Sequence, residues 1–593
     1  MDLGSTTYSQ LVEPVQSQET QPLLSHSQSI GITFRERLAR ANFVPRQLCL
    51  PSKAAVLILF WSLLVGAIYM IAKEGTDFAA DLLGQQKLKF FHSYDILLTR
   101  FIFVLIFVLY PFAGFLADVC CGRYKVIIIS LCLLACGVAC LSVDSIFFFT
   151  KSTVTPFYKH RHRGVAQFYV FAIGGAFFLI LGFSGYKANF IQFGIDQLTE
   201  APSEYLGLFV HWTEWFTMLG STFAQTVFSL IHHCDRDHSS FIYHMTLSLP
   251  LLFLALLLVM LVFTYWKRHW FNIEPARSNP YKTVIKVLNF ARKHKHPLQR
   301  SAFTYTDDEE PTRIDFAKER FGGPFTTEQV EDVKTFLRVL VILLALGPVF
   351  ATEVPIGPLL LIFMNHIVKK ESTICSKTNI LLDASILKSL ATVVLFPVYI
   401  WFIYSVLRQC IPRTFTRIKI GVVTLMAGLL SMLLIELLGH LLYHQHHRHG
   451  VMCMFRQPNH LDLHWAVNLV PGFLTQTGFS VIITTTFEFI SAQSPHSMKG
   501  LLIGVMFAVR GTFQVFIAIG ILPFSVNTIW GTKKMKDNPP PIVNCGFGYL
   551  LFTCTFALVG LVLFLVAVKR YRYRERDDPP YNQMAVERVW ANN

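Results

Sequence analysis

The chain has 593 residues, of which 53% are hydrophobic and only 15% are charged. This balance excludes an ordinary soluble domain, in which about a quarter of the residues are Asp, Glu, Lys or Arg. The formal charge of +15 would suit a nucleic-acid partner, but in so apolar a chain it indicates basic loops beside anionic lipid. No nucleic-acid partner is therefore predicted.

Residues 1–52 form a polar segment, predicted to be a disordered cytosolic tail. The tail lacks the apolar core of a cleavable signal peptide, so the first hydrophobic span is expected to be retained as an anchor. Glu19, Leu23 and Leu24 fit an acidic dileucine pattern, E-x-x-x-L-L. A sorting adaptor would bind the two leucines in apolar pockets, which favours a late-endosomal or lysosomal location over the plasma membrane.

Apolar runs of about 20 residues recur along the chain, and each is long enough to cross a hydrocarbon core about 30 Å thick. Twelve spans are predicted, at 54–72, 95–117, 124–148, 167–190, 205–231, 241–265, 336–364, 380–406, 417–440, 465–490, 500–524 and 546–568. They divide into a half over 53–265 and a half over 336–568. This 6+6 layout predicts an all-α membrane protein of the major facilitator type, whose halves enclose a site at mid-membrane.

Basic clusters place both termini in the cytosol under the positive-inside rule. The clusters are Arg35, Arg37, Arg40 and Arg46; Arg408, Arg413, Arg417 and Lys419; and Lys569, Arg570, Arg572, Arg574 and Arg576, which belong to the basic tail 569–593. The excess of basic residues on the cytosolic side is incomplete, because Lys151 and Lys533 lie on the opposite side of the membrane in this arrangement. The linker 266–335 is then cytosolic, and it is predicted to hold a short amphipathic helix near 284–292 within a solvated spacer.

Four cysteines fall in loops predicted to face away from the cytosol, where one or two disulfides are possible. They are Cys234, Cys375, Cys453 and Cys545, and their pairing cannot be read from the sequence. The histidine-rich stretch from His440 to His464 lacks fixed metal-ligand spacing. It is interpreted as a solvated loop, with a pH-responsive surface or a metal site as alternatives.

Cofactor and enzyme motifs do not occur in the sequence. It holds no Walker-type nucleotide cradle and no convincing nucleophile elbow. The sequence therefore predicts neither an ATP-driven pump nor an enzyme, and no cofactor or metal is expected.

Two motifs carry charge inside or beside the membrane. The stretch 183–198, FSGYKANFIQFGIDQL, places Lys187 and Asp196 beside glycines at the end of an apolar helix. A membrane lysine is costly unless it lines a cavity or meets a counter-charge, so Lys187 indicates a transport pathway. Between the second and third spans, Asp118 and Arg123 can lock a cytosolic turn.

These motifs resemble those of a known family. Residues 114–125 resemble the signature loop of major facilitator transporters. Residues 183–198, 211–221 and 488–500 resemble the fourth-, fifth- and tenth-helix motifs of the proton-coupled oligopeptide transporter family, which includes peptide/histidine transporters. Similar tails in peptide/histidine transporters also support the predicted location.

The resemblance implies roles for individual residues. Glu488 would receive the amino terminus of a peptide, and Lys187 would take part in proton coupling and gating. Asp118, Arg123 and Asp196 would be gating residues rather than substrate ligands. The alternative for Lys187 and Glu488 is a purely structural ion pair between the two halves.

The chain also departs from the family pattern. The first span lacks the E-x-x-E-R motif that joins proton to substrate movement, and Met218 replaces a substrate-binding asparagine. Glu214 stands at an aromatic position of the fifth-helix motif and is the best alternative proton carrier. Glu353 lies near the family's acidic position in the seventh span.

Further charges within the spans could compensate for the missing motif or form helix-packing ion pairs. They are Arg100, Lys388, Glu436 and Arg510.

The leading hypothesis is a secondary active transporter of di- or tripeptides, histidine or peptide-like solutes, with protons as a coupling ion. One alternative is a transporter of another organic solute in the same fold. The other is a non-transporting scaffold or nutrient receptor that recruits partners through residues 266–335.

Overall fold

The computed structural model describes residues 50–85, 109–154, 161–198, 201, 203–234, 239–274, 279–294, 296, 311–353, 384–403, 413–446, 469–495, 498–526 and 546–573. Their helices are α1 (Lys53–Gln85), α2 (Leu109–Cys121), α3 (Arg123–Val154), α4 (Arg161–Asp196), α5 (Ser203–Cys234), α6 (Ser239–Trp266), α7 (Pro280–Lys293), α8 (Thr327–Ala351), α9 (Ala384–Trp401), α10 (Thr414–His446), α11 (Leu469–Gln493), α12 (Lys499–Val526) and α13 (Gly546–Arg570). Each predicted span contains helical residues. Within the described residues, 7 helices are long and apolar enough to cross a membrane.

The two halves repeat the same helix packing. In the N-terminal half, α3 packs along α4, α1 along α5, and α3 against α6. In the C-terminal half, the helices at the same positions pair in the same way: α10 with α11, α8 with α12, and α10 with α13. Such a repeat is the architecture of major facilitator halves, which are related by an axis along the membrane normal.

Contacts between the halves are made by α5 with α9 and α11, and by α12 with α2 and α4. Trp215 of α5 donates its indole N–H to the carbonyl of Val393 on α9 at 2.8 Å. Met218, at the position of the family's asparagine, receives a hydrogen bond from Ser480 of α11, with 3.8 Å between oxygen and sulfur. The fifth-helix motif therefore faces the opposite half.

The described part of the linker, residues 266–274, 279–294, 296 and 311–335, includes a short helix, α7, where the sequence predicts one. Helix α7 begins after Asn279, whose side chain accepts hydrogen bonds from two backbone N–H groups of the first turn. Its buried residues Val284 and Val287 pack in one apolar cluster with Val330 and Val333 of α8. Helix α8 begins at Thr327, nine residues before the predicted membrane span 336–364, and the cluster covers its first turns.

An ion-pair network holds the segment that precedes α8. Asp315 contacts Lys318, with 2.7 Å between nitrogen and oxygen, and Lys334. Glu331 contacts the same two lysines at 2.7 and 3.2 Å. Burial by itself would raise the pKa of Asp315, but hydrogen bonds from Lys318, Lys334 and Thr312 outweigh it and hold that pKa well below its ordinary value.

Replacing Asp315 with asparagine is expected to loosen this segment. The variant leaves two half-buried lysines beside a neutral amide, and lost hydrogen bonds to a charged group cost about 2 kcal/mol. Backbone amides of residues 311–335 should then exchange with deuterium roughly 30-fold faster. Exposed Glu319→Gln provides the control, and unchanged exchange in Asp315→Asn would show that the network is not stabilising.

The same network predicts how linker stability depends on pH. The lysines also lower the pKa of Glu331 against the opposing effect of burial. Both carboxylates therefore stabilise the linker above their ordinary pKa values, and this contribution is lost as pH falls through their lowered values. Burial alone would lower the pKa of Lys318, but its interactions with Asp315 and Glu331 outweigh this effect and raise that pKa. The contribution of Lys318 to linker stability is therefore lost as pH rises through the raised value.

Hydrogen exchange of residues 311–335 should be measured as a function of pH and corrected for its intrinsic pH dependence. Protection should be constant near neutral pH and should decrease both in acid and in strong base. Protection that rises on acidification would contradict this prediction.

Candidate functional site

A group of charged and polar side chains lies between the two halves and is called the central charge cluster here. It comprises Lys187 of α4, Glu214 of α5, Glu353 after the end of α8, and Arg510 and Gln514 of α12. Lys187 and Glu214 belong to the N-terminal half, and the other three belong to the C-terminal half. Four residues selected from the sequence, Lys187, Glu214, Glu353 and Arg510, thus meet in one region.

Lys187 and Glu214 attract each other electrostatically, and both side chains are half-buried. The Lys187 ammonium lies 5.5 Å from the ring centroid of Phe190, within cation–π range. Among the described residues, no carboxylate is within the 4.0 Å ion-pair distance of Lys187, and no cation is within that distance of Glu214. The two groups therefore present opposite charges that a zwitterionic ligand can contact.

Glu353 is already hydrogen-bonded to side chains of the C-terminal half. Its carboxylate oxygen Oε2 accepts hydrogen bonds from Arg510, with 3.0 Å to Nε, and from Gln514 at 3.1 Å. The Arg510 guanidinium also lies 5.5 Å from the ring centroid of Phe479. Because Arg510 interacts electrostatically with both Glu353 and Glu214, it links the charges of the two halves.

Glu488 lies in a separate ion pair. Arg417 of α10 donates to both of its carboxylate oxygens, from Nη1 to Oε2 at 2.8 Å and from Nη2 to Oε1 at 2.6 Å. The Arg417 side chain is only 6% exposed, whereas the sequence places it among cytosolic basic residues. The Lys187–Glu488 pair, the structural alternative considered from sequence, is not the pair that this structure contains.

The signature loop forms a second charged centre at the predicted cytosolic end. Arg123 bridges Asp118 at 3.2 Å and Asp196 at 2.6 Å. The backbone N–H of Leu501 donates to Asp118 at 3.1 Å, which places this carboxylate at the positive N-terminal end of α12. Tyr281 of the linker helix donates its hydroxyl to the same carboxylate oxygen at 3.3 Å. Asp118 thus connects both halves and the linker.

Glycines allow α2 and α12 to meet closely beside this centre. An ideal Cβ at Gly114 would lie 2.3 Å from the carbonyl oxygen of Gly500, and one at Gly504 would lie 2.5 Å from that of Tyr110. Neither position accommodates a side chain without moving a helix. The halves are therefore closed against each other at this end.

Several residues named from the sequence fall outside the described structure. Within the described part of the chain, no cluster of three or more metal-ligating side chains occurs. Nothing is described of the sorting residues Glu19, Leu23 and Leu24, the basic residues Arg35, Arg37, Arg40, Arg46, Arg408, Lys533, Arg574 and Arg576, the charge Arg100, the histidine-rich residues 447–464, the cysteines Cys375, Cys453 and Cys545, or the side chains of Lys151, Cys234, Lys388, Glu436 and residues 440–446.

Comparison with known families agrees with these motifs. A family model described as "PTR2: POT family" matches residues 124–535, which is more than half of the chain. The chain belongs to the POT family. The match includes Lys187, Glu214, Glu353, Arg417, Glu488 and Arg510, so the residues of the central charge cluster and the Arg417–Glu488 pair lie in the family's region.

Relatives of this POT-family chain are distant. The human protein "Solute carrier family 15 member 5" is 26% identical over 235 residues, which are 39% of this chain and 37% of that protein. The match therefore spans well under two thirds of the relative's length.

Solved structures share the fold. An auto-inhibited POT family peptide transporter matches with a TM-score of 0.55 and 17% identity, over 88% of this chain and 98% of that one. The POT family transporter PepTSo matches with the same TM-score and identity, over 87% and 99%. The predicted fold class, a helical multi-pass membrane protein of the major facilitator type, is confirmed, while the number of crossings and the side of the termini stay predictions.

Proposed function

We propose that this chain is a secondary active transporter that carries di- or tripeptides, histidine or peptide-like solutes across a membrane. The two halves rock about the central charge cluster and expose it alternately to each side. Membership of the POT family and the likeness to POT transporter structures support this class of function. The identity of the cargo and its coupling to protons go beyond this class of function and are proposed for this chain in addition.

The observation that carries the proposal is the way in which charges are paired within each half. Glu353 and Glu488 are held by arginines, whereas Lys187 and Glu214 face each other without an ion-pair partner among the described residues. A ligand carboxylate can bind Lys187, and a ligand ammonium or a proton can bind Glu214. Either event changes the electrostatic interaction of Lys187 and Glu214 with Arg510 of the other half, and thereby the relative stability of the conformational states.

Because the first helix lacks the E-x-x-E-R motif, we assign proton coupling to Glu214. Glu214→Gln keeps the shape of the side chain but cannot take up a proton. Uptake of a labelled dipeptide mixture and of histidine by purified protein in liposomes should rise with an inward proton gradient. In the Glu214→Gln variant the gradient should no longer raise the rate.

Exposed Glu319→Gln in the linker should behave like the unaltered protein and serves as the matched control. Gradient-stimulated uptake that survives in Glu214→Gln would refute Glu214 as the proton carrier. Uptake that never responds to the gradient would indicate a uniporter or exchanger.

We further propose that the protein resides in late endosomes or lysosomes and exports solutes from an acidic lumen to the cytosol. The support is the dileucine pattern of Glu19, Leu23 and Leu24 in a tail predicted to be cytosolic. Replacing Leu23 and Leu24 together with alanine should move the protein to the cell surface, as measured by surface biotinylation. An unchanged distribution would refute the sorting role.

A further inference from the structure

We propose that the start of α1 and the end of α6 form a binding site for the headgroup of an anionic phospholipid. The site, called the basic-aromatic site here, comprises Lys53 of α1 and Trp266, Lys267, Arg268 and Trp270 at the end of α6. It shares no residue with the central charge cluster. The inference therefore goes beyond the proposed function and does not rest on it.

Two ammonium groups lie beside one indole ring in this site. The Nζ atoms of Lys53 and Lys267 are 5.8 and 5.3 Å from the ring centroid of Trp270, and Lys267 is also 3.9 Å from that of Trp266. These distances are within cation–π range, so the rings hold the ammonium groups in place without cancelling their charge. Because the two like charges repel each other, an anion that contacts both is favoured.

The positive charges of the site are not offset by acidic side chains in the described part of the chain. No carboxylate of the described residues lies within the 4.0 Å ion-pair distance of Lys53, Lys267 or Arg268. The Arg268 side chain is exposed, and its guanidinium lies 5.9 Å from the ring centroid of Tyr124 at the start of α3. Ammonium and guanidinium groups are donors only, so the site suits an anion with several acceptor oxygens, such as a phosphate.

A buried hydrogen bond fixes the two helices that carry the site. Trp61 of α1 donates its indole N–H to the hydroxyl of Thr264 on α6 at 3.1 Å, and both side chains are buried. Trp61 also stacks on Phe271, which follows the site in the chain, with 5.5 Å between the ring centroids. Lys53 and Lys267 are therefore held near each other by the packing of α1 on α6.

The surface of α6 identifies the ligand as a membrane lipid rather than a soluble phosphate. The membrane-spanning part of this helix is Leu249–Trp266, so the span ends immediately before Lys267. An exposed apolar column runs along one face of the span at helical spacings of three and four residues: Leu252, Leu256, Val259, Val262 and Trp266.

The column stays open up to the basic-aromatic site, since Val259, Val262 and Trp266 are 67%, 70% and 69% exposed. Acyl chains can lie along it while the phosphate contacts Lys267 at its end. Tyr265, also exposed, and Trp266 are of the residue types that favour the membrane–water interface. The apolar column and the unpaired positive charges thus match the two parts of an anionic phospholipid.

The test compares two photoactivatable lipids, phosphatidylglycerol and phosphatidylcholine, that carry the same diazirine-bearing acyl chain. Each is added as a trace to phosphatidylcholine liposomes that contain the purified full chain. After illumination, peptide mass spectrometry measures the adducts on residues 259–274. The phosphatidylglycerol probe should label this region roughly tenfold more, because its headgroup has a net negative charge that choline would neutralise.

Replacing both lysines removes the two ammonium groups, so Lys53→Gln with Lys267→Gln should bring the labelling ratio close to one. Each single variant should lower the ratio roughly threefold and provides the test if the double variant does not fold. The matched control is Lys569→Gln with Arg570→Gln, which removes two exposed positive charges at the end of α13 and should leave the ratio unchanged. A thermal melt of each variant reports folding independently of lipid binding.

Equal labelling by both probes in the unaltered protein, or a ratio that survives in Lys53→Gln with Lys267→Gln, would overturn the inference. A ratio that falls equally in the control would show a general attraction of lipid to surface charge and would overturn it as well. If excess soluble glycerol 3-phosphate brought the ratio to one, the site would be one for soluble phosphates rather than lipid. None of these results depends on whether the liposomes take up peptide, so they are distinguishable from a failure of the proposed function.

Discussion

Replacing Lys187 with alanine is expected to reduce cargo uptake roughly a hundredfold. Lys187 is the cation to which we propose that a ligand carboxylate binds, and losing a hydrogen bond to a charged group costs up to about 3 kcal/mol. Arg510 cannot take over this role, since its guanidinium is bound to Glu353. The variant would lose both the cation that a ligand carboxylate contacts and the balance of charge between the halves.

The measurement is initial uptake of labelled dipeptide into liposomes, normalised to correctly folded protein. Exposed Lys569→Ala at the end of α13 removes a lysine of the same kind outside the site and should leave uptake unchanged. Lys187→Arg keeps the charge and should retain part of the activity. Normal uptake by Lys187→Ala would remove the central charge cluster from the transport mechanism.

Replacing Gly504 with alanine is expected to open the predicted cytosolic end of the protein. The new Cβ would lie 2.5 Å from the carbonyl oxygen of Tyr110, so α12 must move away from α2. Overpacking of this kind costs about 1–3 kcal/mol, which shifts the equilibrium between closed and open states by roughly 5- to 150-fold. Transport should slow, because each cycle must pass through the closed state.

The shift can be measured as the distance between spin labels at exposed Lys125 of the N-terminal half and exposed Arg413 of the C-terminal half. In Gly504→Ala the long-distance population should grow. Gly174→Ala is the matched control, because a Cβ at Gly174 would meet nothing within 4 Å. Equal distance distributions in both variants would contradict the inferred closure.

Much of the fold could be predicted because membrane insertion imposes long apolar runs on the sequence. Each predicted span contains helical residues, and the class of fold is confirmed. The motif around Lys187 also pointed to the region where the halves meet. The start of α8 was harder to predict, since residues 327–335 are polar on their exposed side and are held by Val284 and Val287 of the linker helix.

The pairing of Glu488 could not be predicted in the same way. Arg417 lies 71 residues away along the chain and occurs among basic residues at the start of a helix, a pattern typical of solvated loop ends. Only the packing of α10 against α11 shows that it turns inward. Arg510 was selected as a membrane charge, but its partnership with Glu353 likewise depends on how α12 packs on α8.

The central claim is that this POT-family chain is a carrier rather than a receptor or scaffold. Counterflow tests it most directly: liposomes containing the purified protein are loaded with unlabelled dipeptide and diluted into a trace of the labelled form, with no proton gradient. Transient accumulation of label that Lys187→Ala abolishes is the predicted result. No accumulation by folded protein, for dipeptides or histidine, would contradict the account and favour a receptor or another cargo.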